Sequence, residues 1–266
     1  MKSVRLVLGE VWQNHDRIFR LARYEQRAKN AGTAMGTLWD FLTPLFQILV
    51  YWFVFDVGMK TRRADNLPYV VWMIVGMVPW FTMSNVMMAS SNAISANASI
   101  IRNIAIPLAI IPAKTVVIHL FEQGWMLLIM LVMLLVYGIF PDLYWLQLLY
   151  YFAAMVIFLF AFTLLSSAFG AAVQDFGRFL SPIIRLMFYL SYVVMDLRGM
   201  PEKIQWLLKL NPATYIVMGY RNTFLYRIGI WESPWHALSF WTVTLLLLFF
   251  GCALHVRLRD RFVDML

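Results

Sequence analysis

The chain has 266 residues, 62% of them hydrophobic and only 14% charged, with a mean hydropathy of +0.70 and a formal net charge of +8. Such a composition excludes an ordinary soluble globular domain, and the lone cysteine, Cys252, excludes a disulfide framework or a thiolate metal site. The basic excess flanks apolar runs and forms no separate nucleic-acid-binding domain; attraction to anionic headgroups explains the cations on the inner side better.

Residues 1–34 read as a polar, basic cytoplasmic N-terminus without the apolar core or small-residue cleavage site of a signal peptide. Within it, Asp16–Lys29 has helical periodicity. Arg20, Arg23 and Arg27 share a face with Asp16, while Ile18, Leu21, Ala22 and Ala28 fall opposite. This segment either fixes topology alone or lies on the membrane surface as an interfacial helix that supports a partner. Gly32 and Gly36 then bend the chain into a membrane domain, residues 35–266.

That domain contains six apolar runs, at about 38–57, 69–89, 111–137, 144–173, 179–195 and 235–256. A bilayer core needs ~20 apolar residues per helix, and in lipid each backbone N–H and C=O must be paired within the segment. The expected fold class is therefore an all-α polytopic membrane protein with six transmembrane helices. The fourth run is long enough to require tilt or projection, and the fifth is short. An even number of crossings puts both termini on one side, and the basic ends make that side cytoplasmic. Arg102, Lys114, Arg178 and Arg185 then fall in inside loops. Eight of the 22 basic residues (Lys60, Arg62, Arg63, Arg198, Lys203, Lys209, Arg221 and Arg227) fall outside.

Two connecting segments stand out. In the inside loop 90–112, Asn97–Ile104 offers a short helix with Ile100, Ile101 and Ile104 on one side and Arg102 between, bracketed on the return by Pro107 and Pro112. It could insert into a groove on a soluble partner or be a plain turn. In the outer segment 196–234, Asn211-Pro212 is a helix start, Asn as cap and Pro at the first helical position. Arg221 and Arg227 would each cost about 2.5–3.5 kcal/mol near the centre of a span. The segment is therefore expected to dip into the outer leaflet as a re-entrant hairpin rather than cross.

Several strings together carry a family likeness: Met35-Gly36-Thr37-Leu38-Trp39 with Pro44, Gln47 through Phe55, Leu67-Pro68-Tyr69 through Trp72 to Val78-Pro79-Trp80-Phe81, Tyr144-Trp145-Leu146-Gln147-Leu148, and Leu210-Asn211-Pro212 through Gly219-Tyr220-Arg221-Asn222. In this order and spacing, the chain resembles the membrane subunits of ABC exporters for lipid-linked polysaccharides, and among them the wall teichoic acid translocation permeases. It departs at Gln174-Asp175, where Arg-Asp is usual, and at Ser191-Tyr192, where Ser-Pro is usual. The resemblance implies a homodimer in a bacterial cell membrane, with two copies of a separate ATPase subunit that binds ATP and Mg. It also implies a polyprenyl-diphosphate-linked polyanionic polymer as cargo, and an ATPase docked on the interfacial helix and on Asn97, Ile100, Ile101, Arg102 and Ile104. The chain has no G-x-x-x-x-G-K-[ST] phosphate loop, so no cofactor is expected on it and it is no enzyme by itself.

No catalytic or metal-ligand constellation is visible among His15, His119, His236 and His255. A polymer conduit needs surfaces that accept hydroxyls and phosphates. Tyr51, Trp72, Trp80, Phe81, Phe188, Tyr189 and Tyr192, all within spans, are the candidate aromatic path. Lys60, Arg62, Arg63, Arg198, Lys209 and Arg221 are the candidate basic exit. Packing and headgroup contacts are the competing roles for these residues. Glu122 is the deepest acid, either paired with His119 one turn away or with a neighbouring helix, or functional. An O-antigen or capsule permease is the first alternative within the class, followed by a small-molecule exporter. A polyprenyl-linked glycosyltransferase lacks its acidic loop here, and a proton-coupled carrier using Glu122 lacks inverted repeats.

Overall fold

The structure, a computed structural model, describes residues 2–54, 68–103, 107–173, 175–194 and 201–259, without the side chains of 102 and 103. Among the described residues the elements are helical: α1 (Lys2–Gln13), α2 (His15–Lys29), α3 (Trp39–Trp52), α4 (Tyr69–Ser90), α5 (Ala98–Asn103), α6 (Ile110–Val136), α7 (Gln147–Ala172), α8 (Phe176–Leu190), α9 (Glu202–Lys209), α10 (Pro212–Arg221) and α11 (Pro234–Leu258).

Among the described residues four segments are long and apolar enough to cross a membrane: α4, α6, α7 with its preceding turn (Leu143–Ala172), and α11. They coincide with the second, third, fourth and sixth expected runs. The 30 residues of Leu143–Ala172 would measure about 45 Å as a helix, against a core of ~30 Å, so tilt or projection is required as expected.

The other two runs behave differently. The first is helical over Trp39–Trp52, and its outer end lies beyond the described residues. The fifth, expected at 179–195, starts earlier and stops sooner, at Phe176–Leu190. Its 15 residues reach about 22 Å, less than the core thickness. The run ends because Tyr192 takes a left-handed backbone with φ 62°. Two bonds fix that turn: Asn211 Nδ2 donates to Ser191 Oγ at 2.8 Å, and Arg221 donates to the Val193 carbonyl at 2.8 Å. Proline, with φ locked near −65°, could not occupy position 192 in this turn.

Helix α4 sits at the centre. Its apolar window is 89% buried, against 22% for α11, and it packs on α6, α7, α8 and α10. Helix α7 pairs closely with α11. The approach is tight at Gly251, where a Cβ would come 3.1 Å from the Leu164 Cβ and 3.2 Å from the Ala161 carbonyl oxygen.

The described part of the segment expected to lie outside, residues 201–234, carries two short helices, α9 and α10. Asn211 caps α10 as expected, its Oδ1 accepting the Ala213 N–H at 3.0 Å. The helix does not continue to Ile230. It passes through a π turn, Asn222–Tyr226, and closes at Arg227, whose φ is 55°. Ten residues of α10 span only about 15 Å, so α10 is not a seventh crossing.

At the other end, two helices stack along the bundle. In α2 the buried residues are Ile18, Ala22 and Gln26, a stripe at four-residue spacing. Arg20, Arg23 and Arg27 face outward as expected, whereas Ala28, assigned to the buried side, is exposed. The sequence reading missed α1. Its Val4, Val7 and Val11 are spaced for one helix face, and Val7 is fully buried against Ala109, Leu164 and Cys252.

Candidate translocation surface

Seven aromatic residues were assigned to a path, and the fold divides them into two groups. Tyr51 of α3, Trp80 and Phe81 of α4, and Phe188 and Tyr189 of α8 form one cluster. Ring centroids lie 5.8 Å apart for Tyr51–Phe81, 6.1 Å for Tyr51–Phe188, 5.9 Å for Trp80–Phe188 and 5.2 Å for Phe188–Tyr189. Tilted and edge-on rings at such distances attract one another. Trp80 and Phe81 are buried beneath the cluster, Tyr51 and Phe188 are half-buried, and Tyr189 is 55% exposed. The cluster therefore presents an aromatic surface along α3 and α8.

Trp72 and Tyr192 belong elsewhere. Trp72 is fully buried, and its ring and that of Tyr192 stand edge-on, 5.6 Å apart. Between them lies Arg221, with its Cζ 3.4 Å from the Trp72 ring centroid and 4.9 Å from that of Tyr192. Cations are attracted to ring faces at this range, more strongly once desolvated. Arg221 Nε donates to the Trp72 carbonyl at 3.1 Å, Nη1 to the Tyr192 carbonyl, and Nη2 to the Val193 carbonyl at 2.8 Å. Gly76 makes room for the guanidinium, since a Cβ there would overlap it.

Arg221 is thus a correction to the expected exit cation. Its side chain is 0% exposed and clamps α10 to α4 and to the turn after α8. A planar fork suits several carbonyls at once, and this use faces inward.

The other basic candidates fare variously. Lys209 lies where α9 turns into α10 and lines hollows on both sides of it, one of about 520 Å³ shared with Trp206, Trp235 and His236. Arg227 pairs with Asp142 at 2.6 Å, which leaves it a structural tie. Lys60, Arg62, Arg63 and Arg198 lie outside the described residues.

In the loop assigned to ATPase coupling, a turn over Ser95–Asn97 leads into α5. Asn97 is buried. Its Nδ2 donates to the Ala93 carbonyl at 2.7 Å and its Oδ1 accepts from Lys114 Nζ at 2.6 Å, so it anchors the loop. Ile101 is half-buried against Ile94, Leu108 and Ala168. Ile100 is half-buried on α5. Ile104 and the Arg102 side chain are outside the described residues.

Lys114, read as a loop cation, is inside α6 and 1% exposed. Its ammonium also meets the Glu25 carboxylate of α2. One buried charge thus joins three elements, α2, α6 and the loop. Glu122 of α6 has two partners: Lys29 Nζ at 2.7 Å, and His119 Nδ1 at 3.2 Å. Both expected pairings, the one across a turn and the one to a neighbouring helix, are present. Gln123, fully buried, bonds Thr82 of α4 and approaches the Tyr220 hydroxyl at 3.4 Å. Sequence reasoning missed Gln123; a lone amide inside an apolar run was the signal.

The described residues thus form a bundle of long apolar helices with the amphipathic α1 and α2 packed at one end and an aromatic cluster along α3 and α8. The profile of the family described as ABC-2 type transporter matches residues 18–225, and the chain belongs to that family. Among its relatives are two proteins named "O-antigen export system permease protein RfbA". One, from Klebsiella pneumoniae, is 26% identical over 252 residues, 94% of this chain and 95% of the relative. The other, from Myxococcus xanthus, is 26% identical over 265 residues, 98% and 99% of the two chains. The "Polysialic acid transport protein KpsM" of Escherichia coli is 23% identical over 194 residues, 73% and 75%.

Proposed function

We propose that the chain is the membrane permease of an ATP-driven exporter for a lipid-linked polysaccharide. It would act as a homodimer with two copies of a separate ATPase. An O-antigen-like or capsular polymer is the preferred cargo. Wall teichoic acid, favoured by the sequence strings, takes second place, because the relatives that match over most of their length bear the names of O-antigen and polysialic acid transporters.

The aromatic surface of Tyr51, Phe188 and Tyr189 over Trp80 and Phe81 is the observation that carries the reading. Sugar C–H faces slide over such rings without being held by directional bonds, which suits a polymer in transit. The exposed Tyr189, with the half-buried Tyr51 and Phe188 beside it, also gives two copies a shared face to enclose a conduit. The inward use of Arg221 removes the strongest argument for a polyanion-selective exit.

Reconstitution of the permease with its ATPase, followed by ATP-dependent movement of fluorescently tagged lipid-linked polymers, tests the reading. A neutral O-antigen chain is expected to move at least as well as a polyol-phosphate chain. Movement of the polyol-phosphate alone would restore the teichoic acid reading, and movement of neither would sink the exporter assignment.

A further inference from the structure

Helix α8 carries two arginines, Arg178 in its first turn and Arg185 past its midpoint, and the conduit role of the aromatic surface does not account for them. Arg178 and Arg185, with Ser181, Pro182, Gly177 and Asn92, line a hollow of about 520 Å³ between α8 and the end of α4. Each arginine engages its own helix. Arg178 Nη1 bonds Asp175 at 3.0 Å, and Arg185 Nη2 bonds the Ser181 hydroxyl at 3.1 Å. A guanidinium has five N–H donors, so most of each fork remains for another acceptor. The floor is tight: a Cβ at Gly177 would come 2.9 Å from the Ser91 hydroxyl.

Arg185 is the decisive residue. It lies nine residues after Phe176, about 14 Å along the helix, exposed, with a neutral hydroxyl as its bond partner. An exposed arginine midway along an apolar helix of a membrane protein is costly wherever it meets hydrocarbon, and such a charge marks a polar path or a ligand. Arg178, Ser181, Arg185 and Tyr189 follow one another at three- and four-residue steps, so they share a face of α8. That face runs from the hollow to the aromatic cluster.

We infer that this hollow is the loading site for the diphosphate of the lipid-linked cargo. Two guanidinium forks with Ser181 and Asn92 as neutral donors match an oxyanion chemistry that needs several charge-assisted bonds. The stripe then hands the attached sugars to Tyr189 and Phe188. The inference rests on the exporter reading for the identity of its ligand, and on the loop end of α8 being cytoplasmic.

Binding of radiolabelled geranylgeranyl diphosphate to the permease–ATPase complex in phosphatidylcholine nanodiscs tests the site without ATP or polymer. The variant pair Arg178→Gln with Arg185→Gln changes only exposed side chains, and co-purification with the ATPase checks its fold. It is expected to weaken binding about tenfold to a hundredfold, while Arg178→Lys with Arg185→Lys retains more of it. Unchanged binding in the Gln pair, or equal binding of uncharged geranylgeraniol by the unaltered protein, would overturn the site. Displacement by equimolar phosphatidylglycerol would assign the hollow to bilayer headgroups and overturn the loading role; persistence of binding supports it. An unaltered complex that binds the diphosphate but exports no polymer would count against the exporter reading and leave the site standing.

Discussion

Arg221 shows how far a side chain's role can differ from its chemistry in isolation. In sequence it is an arginine in the segment before the last apolar run, where contact with a phosphate-bearing cargo is the expectation. In the fold it is fully buried and donates to three backbone carbonyls, those of Trp72, Tyr192 and Val193. Leaving a buried acceptor unsatisfied costs about 1–3 kcal/mol, so Arg221→Gln is expected to lower stability by several kcal/mol. Thermal unfolding in detergent should register this as a large drop in Tm, and folded protein in the membrane should fall with it. Gly76 supplies a finer test, because a Cβ there would meet the guanidinium. Gly76→Ala alone should destabilise, and it should cost much less in a chain already carrying Arg221→Gln. Such non-additivity is what neighbouring residues show in a double-mutant cycle; strictly additive effects would place the cost of the methyl elsewhere.

Among the elements, the junction of α2, α6 and the loop before α5 depends on Lys114. Its ammonium is buried between Glu25, itself half-exposed, and the buried Asn97, and removing it leaves the Asn97 amide oxygen without its donor. Lys114→Met should therefore loosen α2 and residues 95–103 together while α7 and α11 stay protected. Hydrogen exchange reads this directly, and faster exchange in α2 without change in the loop would show that the two are not joined through Lys114. The helices themselves were legible wherever one physical signal dominated. Long all-round apolar runs disclosed α4, α6, α7 and α11, and Asn211-Pro212 disclosed the start of α10. What stayed hidden depends on contacts distant in sequence. The end of α8 follows from a left-handed Tyr192 held by residues from α10 and the turn before it, and nothing local in Leu190–Met195 announces it. The aromatic cluster was legible as a set of mid-span rings, but not its division, because Trp72 and Tyr192 differ from the others only in their nearness to Arg221.

Across the whole molecule, the conduit reading makes the rings of Tyr51, Phe188 and Tyr189 functional rather than architectural. Tyr51→Ala with Tyr189→Ala should cut polymer export several-fold more than it lowers Tm, since Tyr189 is 55% exposed. Parallel losses of export and stability would mark the cluster as packing. Because no phosphate loop exists in the chain, the purified permease is expected to hydrolyse no ATP until its partner is added. Turnover by the permease alone, measured as phosphate release, would contradict the division of labour. The central place of α4 has a consequence for how the chain is made. Apart from α3, which meets it through Tyr51 and Phe81, its main neighbours α6, α7, α8 and α10 follow it in the sequence, so during synthesis α4 reaches the membrane before any of these four. It must first be at home in lipid and only later in protein. This accounts for a helix buried inside the bundle that is nonetheless apolar on every side, and it makes the arrival of α10, with Arg221 at its end, the step that locks α4 in place.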